Sequence, residues 1–217
     1  MDGAPHWDEA AGLLWMITRE PHPTNVPPNT RVHVTRDSLW YAAGLFLRDQ
    51  PGDRTRALRA IESTLETQFI TPGTPHYGSY KRSPEEPEPP AESVVWKHFD
   101  PNWREFCGTM LAAFLQDFGE ALPPDLTQRI DVSLQHAAAG ALARNVPASY
   151  TNIALMSAFM LRYAGDRFDR AEWRDAGEVL AAEVYRLYQQ DETFPEYNSP
   201  YLYAQSAASS GMLARTS

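Results

Sequence analysis

Residues 103–143 read WREFCGTMLAAFLQDFGEALPPDLTQRIDVSLQHAAAGALA and contain two of the helical patterns on which the predicted fold depends. The first part repeats apolar side chains every three or four residues and stops near Gly119, which predicts a helix over 103–118. A Pro-Pro-Asp sequence at 123–125 then suits the first turn of a second helix, which we expect over 125–143. Because the connection is short, the two helices should form an antiparallel hairpin. The apolar positions are Phe106, Met110, Ala113, Phe114, Phe118, Leu126, Ile130 and Leu134.

Two further pairs of apolar series flank this hairpin. They predict helices over 37–49 and 54–70 before it, and over 150–164 and 170–190 after it. The expected end signals are Asp37 or Ser38 as the cap of helix 37–49, Ser149 or Thr151 as the cap of helix 150–164, and Gly165 as its stop. Residues 30–35 are the only short alternating, strand-like stretch. We therefore expect an all-α chain of antiparallel helical hairpins.

The composition is that of one globular domain over 1–217. The chain has 217 residues and is 43% hydrophobic, which is enough for a core. The formal net charge is −9 and no basic run occurs, so we expect no nucleic acid and no anionic membrane surface as a partner. The single cysteine, Cys107, excludes an intrachain disulfide and is expected to be a buried small side chain. No segment is typical of a membrane span or a secretory signal, and a cytoplasmic location is the expectation.

The longest connection, residues 71–100, contains six prolines. A loop of this length inside a domain is either functional or disordered. Its histidine and aromatic side chains predict order at both ends, whereas the acidic, proline-rich middle at 84–92 is expected to be mobile. The tail at about 200–217 lacks helical periodicity and is expected to be irregular.

Four short sequences next to the predicted helices resemble the α/α-toroid enzymes, which comprise the six-hairpin glycosidases and related polysaccharide lyases. These sequences are TRDSLWYA at 35–42, FDPNWREF at 99–106, YTNIA at 150–154 and FPEYNSP at 194–200. In toroids such loops line a cleft for a sugar chain, so the resemblance implies an oligo- or polysaccharide as partner. A full toroid has about six hairpins and three are expected here, which implies an incomplete toroid. An uncovered hairpin face would then favour a homo-oligomer.

The resemblance makes elimination the leading hypothesis for the chemistry. A lyase acting on a uronic acid must neutralise the carboxylate and then remove the proton beside it. Asparagine can hydrogen-bond the carboxylate, and a tyrosine phenol can act as base and acid when positive charge lowers its pKa. Asn198 or Asn152 would hold the carboxylate here, and Tyr197 or Tyr150 would move the proton. The alternative is that Asn198 belongs to a turn and Tyr197 to a half-buried wall.

A second hypothesis is glycoside hydrolysis, which needs two carboxyl groups on either side of the bond. Asp100, Glu105 and Glu196 are the candidate carboxylates. Asp100 also has a structural interpretation, because Asp-Pro-Asn at 100–102 is typical of a helix start with a capping side chain.

Substrate binding is predicted for a third set of residues. The set consists of His76, Tyr77, Trp96, Asn102, Trp103 and Arg104, and His76 or Arg104 could also assist the proton transfer. Aromatic side chains either stack on sugar rings or fill the core. Those in loops, such as Tyr77 and Trp96, are better ligand candidates than those at helical spacing, such as Trp40.

Several motifs are absent from the sequence. It contains no His-Glu-x-x-His, no phosphate-binding glycine-rich loop, no Gly-x-Ser-x-Gly and no Cys-x-x-Cys, and its histidines are scattered. We therefore expect no metal and no cofactor. A non-catalytic helical interaction module and an inactive truncated fragment are the alternatives, although no strict repeat favours a solenoid scaffold.

Overall fold

The computed structural model describes residues 6–18 and 26–195, and these ranges contain six α-helices and one three-stranded sheet. The helices are α1 Thr35–Arg48, α2 Asp53–Leu65, α3 Trp103–Phe118, α4 Pro124–Arg144, α5 Thr151–Arg167 and α6 Ala171–Asp191, and the strands are β1 Trp7–Asp8, β2 Leu13–Ile17 and β3 Arg31–Val34. The chain divides into two compact units, with the boundary between Ser133 and Leu134. The predominantly helical class is confirmed. No helix in the described part is both long enough and apolar enough to cross a bilayer. The tail at 200–217 lies outside the described residues.

A small antiparallel sheet precedes the helices, so the all-α prediction is wrong in this respect. β2 pairs with β1 on one side and with β3 on the other, with Leu14 opposite Val34 and Ile17 opposite Arg31. β3 coincides with the alternating stretch at 30–35, whereas β2 is a short apolar run without alternation and was not predicted as a strand. Strand pairing depends on the register between distant segments, and a single short segment carries little of that information.

α1 begins at Thr35, before the predicted caps Asp37 and Ser38. Val34 stands at the N-cap position and its side chain makes no capping hydrogen bond. The Ser38 hydroxyl instead donates to the Val34 carbonyl (2.5 Å) and accepts from the Leu14 N–H (2.8 Å). The predicted cap is wrong because β3 runs directly into α1, and Ser38 joins β2 to the helix.

α1 packs against α2, and an ion pair closes their connection. The Asp53 carboxylate accepts hydrogen bonds from Arg48 Nε (2.8 Å), Arg48 Nη2 (2.7 Å) and the Gln50 N–H (3.0 Å). The hydrogen bonds from Arg48 are the main cause that lowers the pKa of Asp53 to about 2. The end of α1 is thereby fixed to the start of α2.

α2 ends at Leu65, earlier than the predicted residue 70, because the chain then pairs with the long loop. The Phe69 N–H donates to the Ser79 carbonyl (2.8 Å), and the Gly78 N–H donates to the Phe69 carbonyl (2.8 Å). Phe69 falls within the predicted helix 54–70 and is buried, but it lies in this pairing and not in a helix.

The middle of the long loop, expected to be mobile over 84–92, is held to the rest of its unit. Glu86 is buried and accepts a hydrogen bond from Arg82 Nε (2.6 Å), while burial raises the pKa of Glu86 despite this ion pair. Glu85 accepts from the His33 N–H (3.1 Å), and its second oxygen lies 2.5 Å from His33 Nδ1. The acidic side chains that suggested a solvated segment are therefore the groups that anchor it.

α3 packs against α1 and is buried around most of its circumference. Cys107 is fully buried, as predicted, and burial raises the pKa of its thiol. α3 ends at Phe118, and a short 3-10 helix at Gly119–Ala121 follows, in agreement with the predicted stop. A helix surrounded in this way belongs to the interior of its unit.

In the second unit, α5 and α6 approach each other closely at two glycines. Gly165 was predicted to stop α5, but α5 continues to Arg167. A Cβ atom on Gly165 would overlap the backbone of Arg174, and a Cβ on Gly177 would lie 2.7 Å from the Ala158 carbonyl oxygen. The prediction is wrong because Gly165 permits close helix packing and does not end the helix.

Gly177→Ala should destabilise the chain, because the new Cβ would lie 2.7 Å from both the Ala158 oxygen and the Arg162 nitrogen. Overpacking of this kind costs about 1–3 kcal/mol. Urea unfolding followed by circular dichroism measures the change. Gly44→Ala is the matched control: nothing lies within 4 Å of its new Cβ, so it should stabilise α1 by about 0.5–1 kcal/mol. Equal effects of the two variants would contradict the close approach of α5 and α6.

Asp53→Asn should lower the melting temperature at neutral pH and weaken its dependence on acid. The pKa of Asp53 is lowered from 3.8 to about 2 by folding, so its stabilising contribution is complete above 3.8 and is lost as the pH falls toward 2. Thermal melts between pH 7 and pH 2 test this. Asp49→Asn removes the same charge from the same connection, and its melting curve should keep the acid dependence of the wild type.

Candidate functional site

The buried hydroxyl of Thr35 connects the start of α1 to two other segments. Thr35 Oγ1 accepts a hydrogen bond from the Trp103 indole Nε1 (3.1 Å) and donates to the Lys81 carbonyl (2.7 Å). The Thr35 N–H donates to the Arg82 carbonyl (3.2 Å). The first turns of α1 and α3 therefore lie beside the loop that precedes α3. We call residues 35–40, 76–82 and 100–106 the helix-start region.

Arg104 fixes the loop part of the helix-start region. Its side chain is almost fully buried, with 2% of the residue exposed, and it donates to the Tyr77 carbonyl from Nε (3.0 Å) and from Nη2 (2.7 Å). A buried guanidinium must be satisfied by hydrogen bonds, and backbone carbonyls are suitable acceptors. The contacts described here make Arg104 a residue that positions the turn at 76–80.

His76, the first residue of this turn, packs against two phenylalanine rings. Its buried ring lies edge-on to Phe69 (4.9 Å between centroids) and Phe99 (5.6 Å), and Nδ1 lies 3.2 Å from Ser93 Oγ. Burial is the main cause that lowers the pKa of His76, and Arg104 lowers it further. The imidazole is therefore neutral at pH 7.

Asp100 and Asn102 stand at the start of α3. Asp100 Oδ1 accepts from the Asn102 N–H (2.9 Å), and the Asp100 carbonyl accepts from Ser79 Oγ (3.2 Å). Asn102 occupies the N-cap position of α3 without a side-chain capping hydrogen bond. The Asp100 carboxylate thus stabilises the turn before the helix, as the capping interpretation predicted, although Asp100 precedes the N-cap residue. Asp100 remains partly exposed.

Arg36, which was not predicted as a site residue, is surrounded by aromatic rings of the helix-start region. Its Cζ lies 5.3 Å from the ring centroid of Trp40, 5.2 Å from that of Trp103 and 5.1 Å from that of Phe106. Arg36 Nε donates to Asp37 Oδ1 (2.9 Å). Arg36 and Trp40 are four residues apart on one helix, and this spacing is the sequence signal that could have identified the pair.

The other predicted site residues lie elsewhere. Trp96 is 51% exposed at the tip of a turn, where it has a positive φ of 68°. Tyr150 is half-buried just before α5, and Asn152 is buried in the first turn of that helix, both in the second unit. The three residues Glu196, Tyr197 and Asn198 lie outside the described residues. The structure thus brings together His76, Tyr77, Asp100, Asn102, Trp103 and Arg104.

A separate cleft of about 430 Å³ lies between the sheet, α2 and the long loop. Its polar lining includes His33, Lys81 and Glu85. The charged groups of this cleft are engaged in local pairs, since Glu85 contacts His33 and Lys81 Nζ lies 2.5 Å from Glu88 Oε1. In the described residues, no group of three or more His, Cys, Asp or Glu side chains is arranged to hold a metal ion.

Comparison with known proteins gives one match. A family model described as "Domain of unknown function (DUF8769)" matches residues 3–212. No curated protein and no solved structure matches the chain.

The pKa of His76, measured by the pH dependence of its NMR signals, should lie below 6.5. Glu88 opposes the lowering, so Glu88→Gln should lower the pKa of His76 further. Glu92→Gln removes the same charge from the same loop and should leave the His76 titration unchanged. Because the unfolded chain takes up this proton near pH 6.5, stability should fall as the pH drops below that value. A His76 pKa at or above 6.5 would contradict the burial of a neutral His76 ring.

Proposed function

The chain belongs to the DUF8769 family, and from the geometry of its own residues we propose that it is a polysaccharide lyase of the α/α-toroid type. Its substrate is a glycan that contains uronic acid. The observation that carries the proposal is the hydrogen bond from Trp103 to Thr35, since it joins the starts of α1 and α3 at one end of their unit. In the toroid enzymes that the sequence resembles, loops at helix ends line the cleft for the sugar chain.

The burial of the helices supports a toroid-like layout. α1 contacts both its neighbour α2 and the later helix α3, as expected for an inner helix that touches its outer partner and the next inner one. α3 is buried over 104–109 without interruption, and α5 over 151–161. α2, by contrast, buries residues at a helical spacing, namely Asp53, Ala57, Ala60, Ile61 and Thr64. α1 also buries residues at a helical spacing, namely Thr35, Ser38, Leu39, Ala42 and Leu45. The burial contrast therefore supports inner positions for α3 and α5 and an outer position for α2, whereas α1 is assigned by its contacts alone.

The proposed reaction is an elimination next to a carboxylate. A base removes the proton from the carbon that bears the carboxylate, and the electron pair forms a carbon–carbon double bond. The bond to the glycosidic oxygen breaks at the same time, and the leaving oxygen accepts a proton. Tyr150 or Tyr197 serves as the base and acid, and Asn152 or Asn198 holds the carboxylate. This assignment rests on the resemblance and on the chemistry of these side chains.

Partly exposed polar and aromatic side chains support a binding role for the helix-start region. Asp100 offers a partly exposed carboxylate, and Trp103 a partly exposed indole. Arg104 and His76 of the same region are buried, where Arg104 holds the Tyr77 carbonyl and His76 packs against Phe69 and Phe99. Rigid positioning of binding groups on helix ends reduces the conformational entropy that a ligand must overcome.

The wild-type protein should generate ultraviolet absorbance from the new double bond when it is incubated with at least one of polygalacturonate, alginate, hyaluronan or heparin. Tyr150→Phe or Tyr197→Phe, whichever removes the base, should lower the rate by about 10²–10⁴-fold, the usual contribution of a general base. Tyr185→Phe changes an exposed tyrosine of α6 and is the matched control. If both the Tyr150 and the Tyr197 variants keep the wild-type rate, the tyrosine mechanism fails.

Reducing ends are measured in the same reactions, because they separate the alternatives. New reducing ends without absorbance would replace the lyase by a glycoside hydrolase, with Asp100 and Glu196 as the first carboxylates to substitute. A folded protein that yields neither signal would overturn the enzymatic proposal and favour an interaction module or an inactive fragment.

A further inference from the structure

Trp40 is the exposed member of the aromatic group around Arg36. It leaves 42% of its surface accessible although it belongs to a well-packed helix, whereas the group's other rings, Trp103 and Phe106, are half-buried and buried. Exposing an indole costs free energy, since its apolar surface remains in water. A large, rigid ring kept at the surface in this position can be used for binding.

The guanidinium of Arg36 is held in place beside this ring. The centroids of Trp40, Trp103 and Phe106 lie between 5.1 and 5.3 Å from its Cζ, and Nε donates to Asp37 Oδ1. About a fifth of the Arg36 side chain (21%) and almost half of the Asp37 side chain (46%) remain exposed. The positive charge is therefore fixed at the surface, next to an apolar ring and to a carboxylate that can accept hydrogen bonds.

The tryptophan rings of the other arginine–tryptophan pairs in the described residues are less exposed than the ring of Trp40. Arg170 lies 4.7 Å from the ring centroid of Trp173, which is only 4% exposed. Arg31 lies 4.5 Å from the centroid of Trp15, a half-buried ring that also packs against His6. The Trp15 pair provides a matched control for the Trp40 pair, because its arginine is exposed (49% of the side chain) but its ring is half-buried.

We propose that Trp40, Arg36 and Asp37 form a binding subsite for a sugar ring that carries a carboxylate. The apolar face of the sugar stacks on the exposed part of the Trp40 indole, and its carboxylate is attracted to the Arg36 guanidinium at the edge of that surface. A sugar hydroxyl donates to the Asp37 carboxylate. The choice of ligand rests on the proposed function, whereas the site itself rests on the geometry of these three residues.

Binding is measured by isothermal titration calorimetry with oligogalacturonate, with oligomannuronate and with carboxyl-reduced oligogalacturonate. The wild type should bind one of the acidic oligomers at least about tenfold more tightly than the reduced one, a difference of about 1.4 kcal/mol. Trp40→Ala should weaken this binding by about tenfold or more, and Trp40→Phe, which keeps a ring, should restore part of it. Arg36→Gln should reduce the preference for the carboxylate. Trp15→Ala, checked like the others for folding by circular dichroism, should bind as the wild type does.

Three results would overturn the subsite. They are the absence of wild-type binding to the acidic oligomers, unchanged binding by Trp40→Ala, and binding of poly-glutamate as tight as that of the acidic oligomers. The last result would show that negative charge alone is recognised. The outcome is distinguishable from that of the lyase proposal. Elimination by the wild type together with unchanged binding by Trp40→Ala removes only the subsite. Trp40-dependent binding without elimination removes only the lyase.

Discussion

The satisfied hydroxyl of Thr35 is the interaction on which the rest of the helix-start region depends. It is fully buried, and a buried hydroxyl without partners would cost about 1–3 kcal/mol. Thr35 meets this requirement with groups from two other segments, the Trp103 indole and the Lys81 carbonyl. The same contacts that remove the penalty also fix the start of α1, the start of α3 and the intervening loop relative to one another. A valine at this position would fill similar space but would make neither bond.

Helices were predictable here because their signal is local. Apolar side chains at a 3.6-residue period placed α3 and α4 within a residue or so, and Gly119 correctly marked the end of α3. Features that depend on distant partners were not predictable. β2 forms because it pairs with β3, with Leu14 opposite Val34. The Ser38 hydroxyl accepts a hydrogen bond from Leu14 of β2 and does not cap α1. The sequence around each of these residues is compatible with both outcomes, and tertiary pairing decides between them.

The same limit applies to the candidate site: the sequence identifies the type of each residue but not the groups that it contacts. Arg104 and His76 were selected from the sequence because arginine and histidine suit acid–base chemistry and carboxylate binding. The structure uses Arg104 to hold the Tyr77 carbonyl and places His76 among Phe69 and Phe99. The helical spacing of Trp40 favours a core position, since aromatic side chains at such positions usually pack inside. The burial of Arg104 and His76 and the exposure of Trp40 could not be predicted from one sequence, since exposure is a property of the packed chain.

The contrast between Arg104 and Arg36 shows how one helix-start region can provide both rigidity and recognition. Arg104 is only 2% exposed and donates hydrogen bonds to the Tyr77 carbonyl, so its role is to hold the loop. Arg36 lies against aromatic faces, which fix its position while its charge still reaches the surface. A guanidinium that is already oriented loses little conformational entropy when a carboxylate binds. The Thr35–Trp103 hydrogen bond holds the start of α3 beside that of α1, and the Trp103 ring centroid there lies 5.2 Å from Arg36 Cζ. The orientation of Arg36 therefore depends on the packing of α3 against α1, while Arg104 fixes the adjoining loop.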